Sequence, residues 1–465
     1  MDLHVRDIEQ ALERHHGDKP ALLKLLRTVV DWSKNGRRRQ VLLDEGADVS
    51  LVPMLLEMLS ECRGRDDDKD NDAIVATILQ IFHAWTATSV PMRQVLTKAI
   101  PTLLALSSDG TTTTTTIIRA CQVLQDVALF EDGACRILSN EETDFVWSKP
   151  LLQSGNDNKQ DVATQVAWIL ANAAGHTVCH PPLVPILCDV GQAMQKHSNN
   201  ADFQQAACQV WWNVLAPLVL DVPSSSSSLW KKKPTPPTTT FDFIREAWEL
   251  HGFLPVVQAL TAHGVPHAGV AEAACGALAA GPLPVDQRVK LTELLWYTLQ
   301  HYGTSCDQDK TALDVATSAL RALASASRDC GPAQEVLRNY LRDIFDNDSI
   351  LSTTLATTPH GALALLDMCA TLAVECPNAA ACAVLVDAHV VERTVQMMQT
   401  HQDEPTVLDA AVLVLWGIAQ HYGKHVAAVA SEVVDQTLET HGPQKIRYGK
   451  RLQGRLHWKQ KWGRR

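Results

Sequence analysis

The chain has 465 residues, 46% of them hydrophobic and 20% charged, a globular composition that excludes disorder throughout. Its 23 Gly and 22 Pro are too few for a collagen-like chain, and 12 Cys are far too few for a disulfide scaffold. The net charge of −11 hides an asymmetry, because the last 21 residues carry nine Lys or Arg and no acid, leaving −20 on residues 1–444. An acidic body of this kind repels nucleic acid and membrane surfaces and favours basic partners.

The first residues, Met1-Asp2-Leu3-His4-Val5-Arg6-Asp7, are charged and lack the apolar run of a secretory signal. The longest apolar stretch, Ala410 to Ala419, is half of what a membrane helix needs. The expectation is a soluble protein of the cytoplasm, the nucleus or both, without membrane contact. Its thiols are expected to be reduced, and the sequon Asn347-Asp348-Ser349 unglycosylated.

One pattern recurs along the chain: an Ala-rich segment, apolar at positions −4, −3, 0, +3 and +4 around a head residue. The heads are Phe82, Leu124, Leu170, Trp211, Ala274, Leu320, Cys369 and Leu415, and only Thr86 and Thr317 break the apolar rule. The spacing predicts a helix at each head. In chain order, Leu43-Asp44-Glu45-Gly46 before Leu51-Val52-Pro53 reads as the end of a short helix and the start of the next. Asp66-Asp67-Asp68-Lys69-Asp70 reads as a solvated loop, and Thr97-Lys98-Ala99 before Ile100-Pro101 repeats the helix punctuation. Thr111–Thr116 supplies N-caps before Ile117.

Successive heads are 42, 46, 41, 63, 46, 49 and 46 residues apart. The long gap contains Pro223–Thr240, an eighteen-residue Ser/Thr/Pro-rich stretch predicted to be an inserted loop, and without it the period returns to 45. Glu249-Leu250-His251-Gly252 before Phe253-Leu254-Pro255 marks another helix junction. The basic stretch 445–465, with Tyr448, Trp458 and Trp462 among its cations, is expected to be a flexible tail. It suits a grip on single-stranded nucleic acid, a localisation signal, an arm for an acidic partner, or a segment folding back on the acidic body.

This periodic set, Gly-x-x-Pro followed by an amphipathic helix and then the Ala-rich helix about every 45 residues, resembles the armadillo repeat, whose two long helices follow a short one, and its HEAT-like relatives. The resemblance covers roughly residues 20–430. It implies an all-α, armadillo-like superhelical solenoid of about eight to nine repeats over residues 1–444. A helix apolar at five of nine positions must be covered on both sides, which stacked repeats provide.

Motifs for chemistry are missing: there is no Gly-rich phosphate loop, His-Glu-x-x-His or Gly-x-Ser-x-Gly. His421/His425 and His263/His267 have metal spacing but no completing carboxylate or thiol. Cys179 and Cys188, and Cys369, Cys376 and Cys382, show no Cys-x-x-Cys spacing, while Cys121, Cys208 and Cys369 fall in apolar columns as core thiols. The chain is expected to be non-enzymatic, with no cofactor and no metal.

Positions −6, −2 and +2 are left free by the apolar columns and share one helix stripe. Two adjacent repeats place Thr164, Trp168 and Asn172, then Gln205, Gln209 and Asn213, on it. Elsewhere it reads Asp314, Ser318, Ala322, or Asp409, Leu413, Gly417, or Gln122 and Asp126. The Trp168-x-x-x-Asn172 pair is similar to the importin-alpha helix that binds nuclear localisation signals. That likeness implies a carboxamide fixing an extended backbone and an indole against cationic stems. Trp168 can equally serve packing alone. The function expected is a scaffold or adaptor that presents a concave groove to extended, basic segments of partner proteins. The alternative is a nuclear-transport or nucleic-acid-associated factor that uses the basic tail.

Overall fold

The computed structural model describes residues 4–62, 69–108, 112–139, 148–153, 160–221, 239–345, 350–374 and 379–462. Every regular element among them is a helix, with no strand. The chain forms two units, Met1–Pro217 with Ser224–Gly252, and Leu218–Pro223 with Phe253–Arg465.

In the first unit the inner-layer helices are α1 (Lys19–Lys34), α2 (Lys69–Thr86), α3 (Thr114–Val127), α4 (Gln160–Ala174) and α5 (Ala201–Asp221). In the second they are α6 (Ala268–Ala280), α7 (Lys310–Ser327), α8 (Pro359–Val374), α9 (Pro405–His441) and α10 (Gly449–Trp462). Within each unit successive members pack side by side. Pairs such as Val90–Leu96 with Ile100–Ser108, or Ala379–Asp387 with Val390–Thr400, form the second layer. Each head residue lies in its predicted helix, and all five positions of all eight columns are buried. The fold is an all-α solenoid. Helix α9 is two helices meeting at a kink, where Tyr422 has φ −113° and ψ 35°.

Local signals act as expected at some junctions. Gly46 has φ +87° after the Gly36–Asp44 helix, and the Gly46 and Ala47 amides donate to Leu43 and Leu42 carbonyls. This is a left-handed cap that glycine adopts without steric cost. Gly252 serves differently. A Cβ there would meet the Trp248 and Trp211 rings at 2.6 and 2.9 Å, so the requirement is room for indoles. Thr113 caps α3 by accepting from the Thr116 amide at 3.4 Å, which starts the helix three residues before Ile117.

Three expectations need correction. Lys69 and Asp70 belong to the first turn of α2, where Asp70 suits the helix dipole, rather than to a loop. Thr239 and Thr240 open the Thr239–Ala247 helix, while 223–238 of the expected loop lie outside the described residues, as do 63–68, Thr111 and the sequon at 347–349. The basic tail is not flexible over its described length. Residues 449–462 form α10 against α9, with Ile446, Leu452 and Leu456 buried. Leu452 and Leu456 are four apart, so one turn of a basic helix carries an apolar face. Of the options for this segment, folding back is the arrangement found.

Candidate functional site on the inner-helix stripe

The stripe is real in α4 and α5, but its residues divide into two kinds. Trp168, Gln205 and Gln209 are half-buried and keep open surface. Asn172 and Asn213, also half-buried, turn their amides inward to the preceding repeat. Asn172 Nδ2 donates to the Gln125 carbonyl at 2.9 Å, and Asn213 Nδ2 to the Ala171 carbonyl at 2.9 Å. Thr164 is buried rather than on the surface. Its hydroxyl donates to the Gln160 carbonyl at 3.1 Å and accepts from Asn200 Nδ2 at 3.2 Å.

The reason for the inward turn is an orphan acceptor. The amide of Leu129 bonds to the Asp126 carbonyl and that of Gly175 to the Asn172 carbonyl, so Gln125 and Ala171 lose their helical partners as α3 and α4 end. Each asparagine supplies the missing donor from the next repeat. Asp126 holds the same +2 position in α3 with the polarity reversed. It accepts from Thr86 Oγ1 at 2.7 Å and lies 2.9 Å from His83 Nδ1 in the last turn of α2. His176 adds a contact to the Ala128 carbonyl at 3.3 Å. From α3 to α5 the +2 column is therefore a chain of inter-repeat clamps.

This corrects the expectation that both carboxamides are free for a ligand. Asn213 Oδ1 also accepts from Gln209 Nε2 at 3.0 Å. Each asparagine keeps one N–H, and the open part of the stripe is Trp168, Gln205 and Gln209. The sequence showed the +2 spacing but gave no sign of which carbonyls the preceding helices would leave unpaired.

In the second unit the same column is small: Gly276, Ala322, Thr371 and Gly417 are all buried. A Cβ on Gly417 would meet the Ala373 carbonyl oxygen at 2.8 Å, so backbones approach where a polar clamp would need room. The acids sit at −2 and −6 instead: Glu272, Asp314, Asp367 and Asp409. Burial pushes the Glu272 carboxyl above the usual range, and the charge of Asp314 adds to it. Asp367 is exposed, and desolvation by the surrounding chain raises its carboxyl while Arg321 and Arg328 pull it down.

Asp409 has a partner that the sequence did not reveal. Its oxygens accept from the Arg447 backbone amide at 2.7 Å and from Arg447 Nε at 2.9 Å. Beside it Tyr448 packs on Trp416 with ring centroids 5.1 Å apart. Arg455 donates to the Ala419 and Gln420 carbonyls at 3.0 and 2.9 Å, next to the kink in α9. Part of the basic tail thus neutralises acid and carbonyl groups of its own unit.

Among the described residues no three His, Cys, Asp or Glu gather as a metal site, and no described helix is long and apolar enough to cross a membrane. Cys121, Cys208 and Cys369 are fully buried, and burial pushes the Cys121 thiol up to about 12.

No family model matches this sequence, and no curated protein does. Solved structures do match. One, described as an engineered protein, superposes with a TM-score of 0.67 at 16% identity, covering 97% of this chain and 98% of its own. Another comes from work on a phosphorylation switch controlling the interaction between cadherin and beta-catenin. It superposes with a TM-score of 0.57 at 11% identity, covering 90% and 80% of the two chains. At these identities the likeness is one of fold.

Proposed function

We propose that this protein is a non-enzymatic, armadillo-type scaffold that binds an extended, basic segment of a partner protein along its inner helices. The observation that carries the reading is the open side of the stripe, where Trp168, Gln205 and Gln209 remain half-exposed on adjacent helices. Neighbouring helix axes lie about 8–10 Å apart, which an extended chain spans in about three residues at 3.3–3.6 Å each. Glutamine amides offer both donors and acceptors to a peptide backbone, and an indole face attracts Lys or Arg. The net charge of −20 on residues 1–444 suits a basic partner. The fold likeness to a structure of the cadherin and beta-catenin interaction supports a protein partner. We place the scaffold in the cytoplasm, the nucleus or both, from the sequence alone.

The nucleic-acid reading rests on the tail, and Arg447 and Arg455 are already engaged within the chain. The test is fluorescence anisotropy with a labelled, Lys-containing decapeptide. Trp168→Ala combined with Gln209→Ala weakens binding at least about tenfold, which is 1.4 kcal/mol, and a labelled oligonucleotide binds more weakly than the peptide. Unchanged peptide affinity in the double variant overturns the site.

A further inference from the structure

We infer that Cys135 and Cys179 form a reversible disulfide that locks two neighbouring repeats of the first unit together. Their Sγ atoms are 3.6 Å apart although the residues are 44 positions apart in the chain. A disulfide needs about 2.05 Å between the sulfurs, so closing the bond asks for a movement of about 1.5 Å shared between two side chains. Both stand on short elements. Cys135 is in the eight-residue helix Glu131–Leu138, and Cys179 ends the three-residue turn Thr177–Cys179. Neither element belongs to the stacked inner helices.

The two thiols are unequal in a way that orders the chemistry. Cys135 is half-buried and reachable from solvent, whereas Cys179 is fully buried. Burial, the contact with Cys135 and the charge of Glu131 push the Cys179 thiol up to about 12, and its full burial keeps a glutathione molecule from reaching it. Cys135 is the entry point. With oxidised glutathione as oxidant, the Cys135 thiolate attacks one glutathione sulfur and expels a glutathione thiolate, leaving a mixed disulfide. Cys179 then attacks Cys135 Sγ, its proton passing to the second glutathione thiolate as that is expelled. Both protein thiols are oxidised, two protons leave, and one oxidised glutathione becomes two reduced ones.

The bond falls at a junction that is already clamped. Asn172 to Gln125 and His176 to Ala128 tie together α3 and α4, the helices that lead into these two segments. Oxidation therefore adds a covalent tie beside the hydrogen bonds that set the spacing of α3 and α4. The inference does not depend on the proposed partner.

The experiment equilibrates the full-length protein with oxidised and reduced glutathione over a range of ratios, quenches in acid, alkylates free thiols and maps peptides by mass without reduction. The expected product is a Cys135–Cys179 cross-linked peptide, two hydrogens lighter than the separate peptides. It should grow with the oxidised fraction and vanish on adding dithiothreitol. Cys179→Ser should stop the sequence at a glutathione adduct on Cys135, and Cys135→Ser should leave Cys179 unmodified. Wild-type protein that accumulates the glutathione adduct at Cys135 without the internal bond overturns the inference. So does wild-type protein whose two thiols both stay free in excess oxidised glutathione.

Discussion

The side-chain amide of Asn213 donates to the main-chain carbonyl of Ala171 at 2.9 Å, closing an acceptor that α4 leaves open where it ends. Asn172 does the same for Gln125 one repeat earlier. Replacing either by Ala strands a largely buried carbonyl, so each variant is expected to lose about 1–2 kcal/mol of stability. Urea unfolding followed by circular dichroism measures this. A midpoint unchanged in Asn172→Ala and in Asn213→Ala would show that water replaces the clamp at no cost.

Along its +2 column the second unit closes its repeats by contact rather than by clamps. Gly417→Ala puts a methyl group 2.8 Å from the Ala373 carbonyl oxygen, and overpacking of this kind costs about 1–3 kcal/mol. Gly454 in α10 has nothing within 4 Å of its would-be Cβ. Gly454→Ala should therefore stabilise, by about 0.5–1 kcal/mol from helix propensity. Thermal unfolding of the two variants should move in opposite directions. A shift in the same direction contradicts the packing argument.

Glu272 gives a pH dependence of definite sign. Its carboxyl is raised in the folded chain, so the native state holds this proton more tightly than the unfolded chain does, whose value is the ordinary 4.5. The contribution of Glu272 is thus most favourable below pH 4.5 and declines as pH rises through the folded value. Glu272→Gln removes that decline. Denaturation midpoints between pH 4.5 and 7 should show the variant gaining on wild type as pH rises. Parallel curves would rule out the burial of this carboxylate.

Arg447 on Asp409 joins a side chain that is 65% exposed to one that is 16% exposed. Such a pair contributes no more than about 1 kcal/mol globally, but it anchors the approach to α10. Asp409→Ala should raise tryptic cleavage after Arg451 about fivefold, the factor that corresponds to 1 kcal/mol. Added salt should narrow the difference between variant and wild type. Equal cleavage rates would mean that Ile446, Leu452 and Leu456 hold the segment without the ion pair.

Much of the architecture was legible because it rests on spacing. Apolar residues three and four apart, repeated about every 45 positions, fix which faces are covered, and Phe82, Leu170 and Leu415 lie where that rule puts them. The site was legible only in part. Spacing placed Asn172 and Asn213 on the stripe. Whether their amides face solvent or the preceding repeat depends on where α3 and α4 stop, a tertiary matter that one helix cannot report. The tail misled for a related reason. Its nine cations outweigh Leu452 and Leu456 in composition, yet those leucines find an apolar surface on α9 that only the folded chain provides.

The central claim, that the inner helices of the first unit bind an extended basic peptide, is tested most directly by a footprint. Hydrogen exchange read by mass spectrometry, with and without a saturating Lys-containing decapeptide, locates the contact. Slowed exchange confined to peptides covering residues 160–174 and 201–218, and lost in the Trp168→Ala, Gln209→Ala double variant, is the result predicted. Protection on α10, on the outer helices, or nowhere in the first unit would contradict the account.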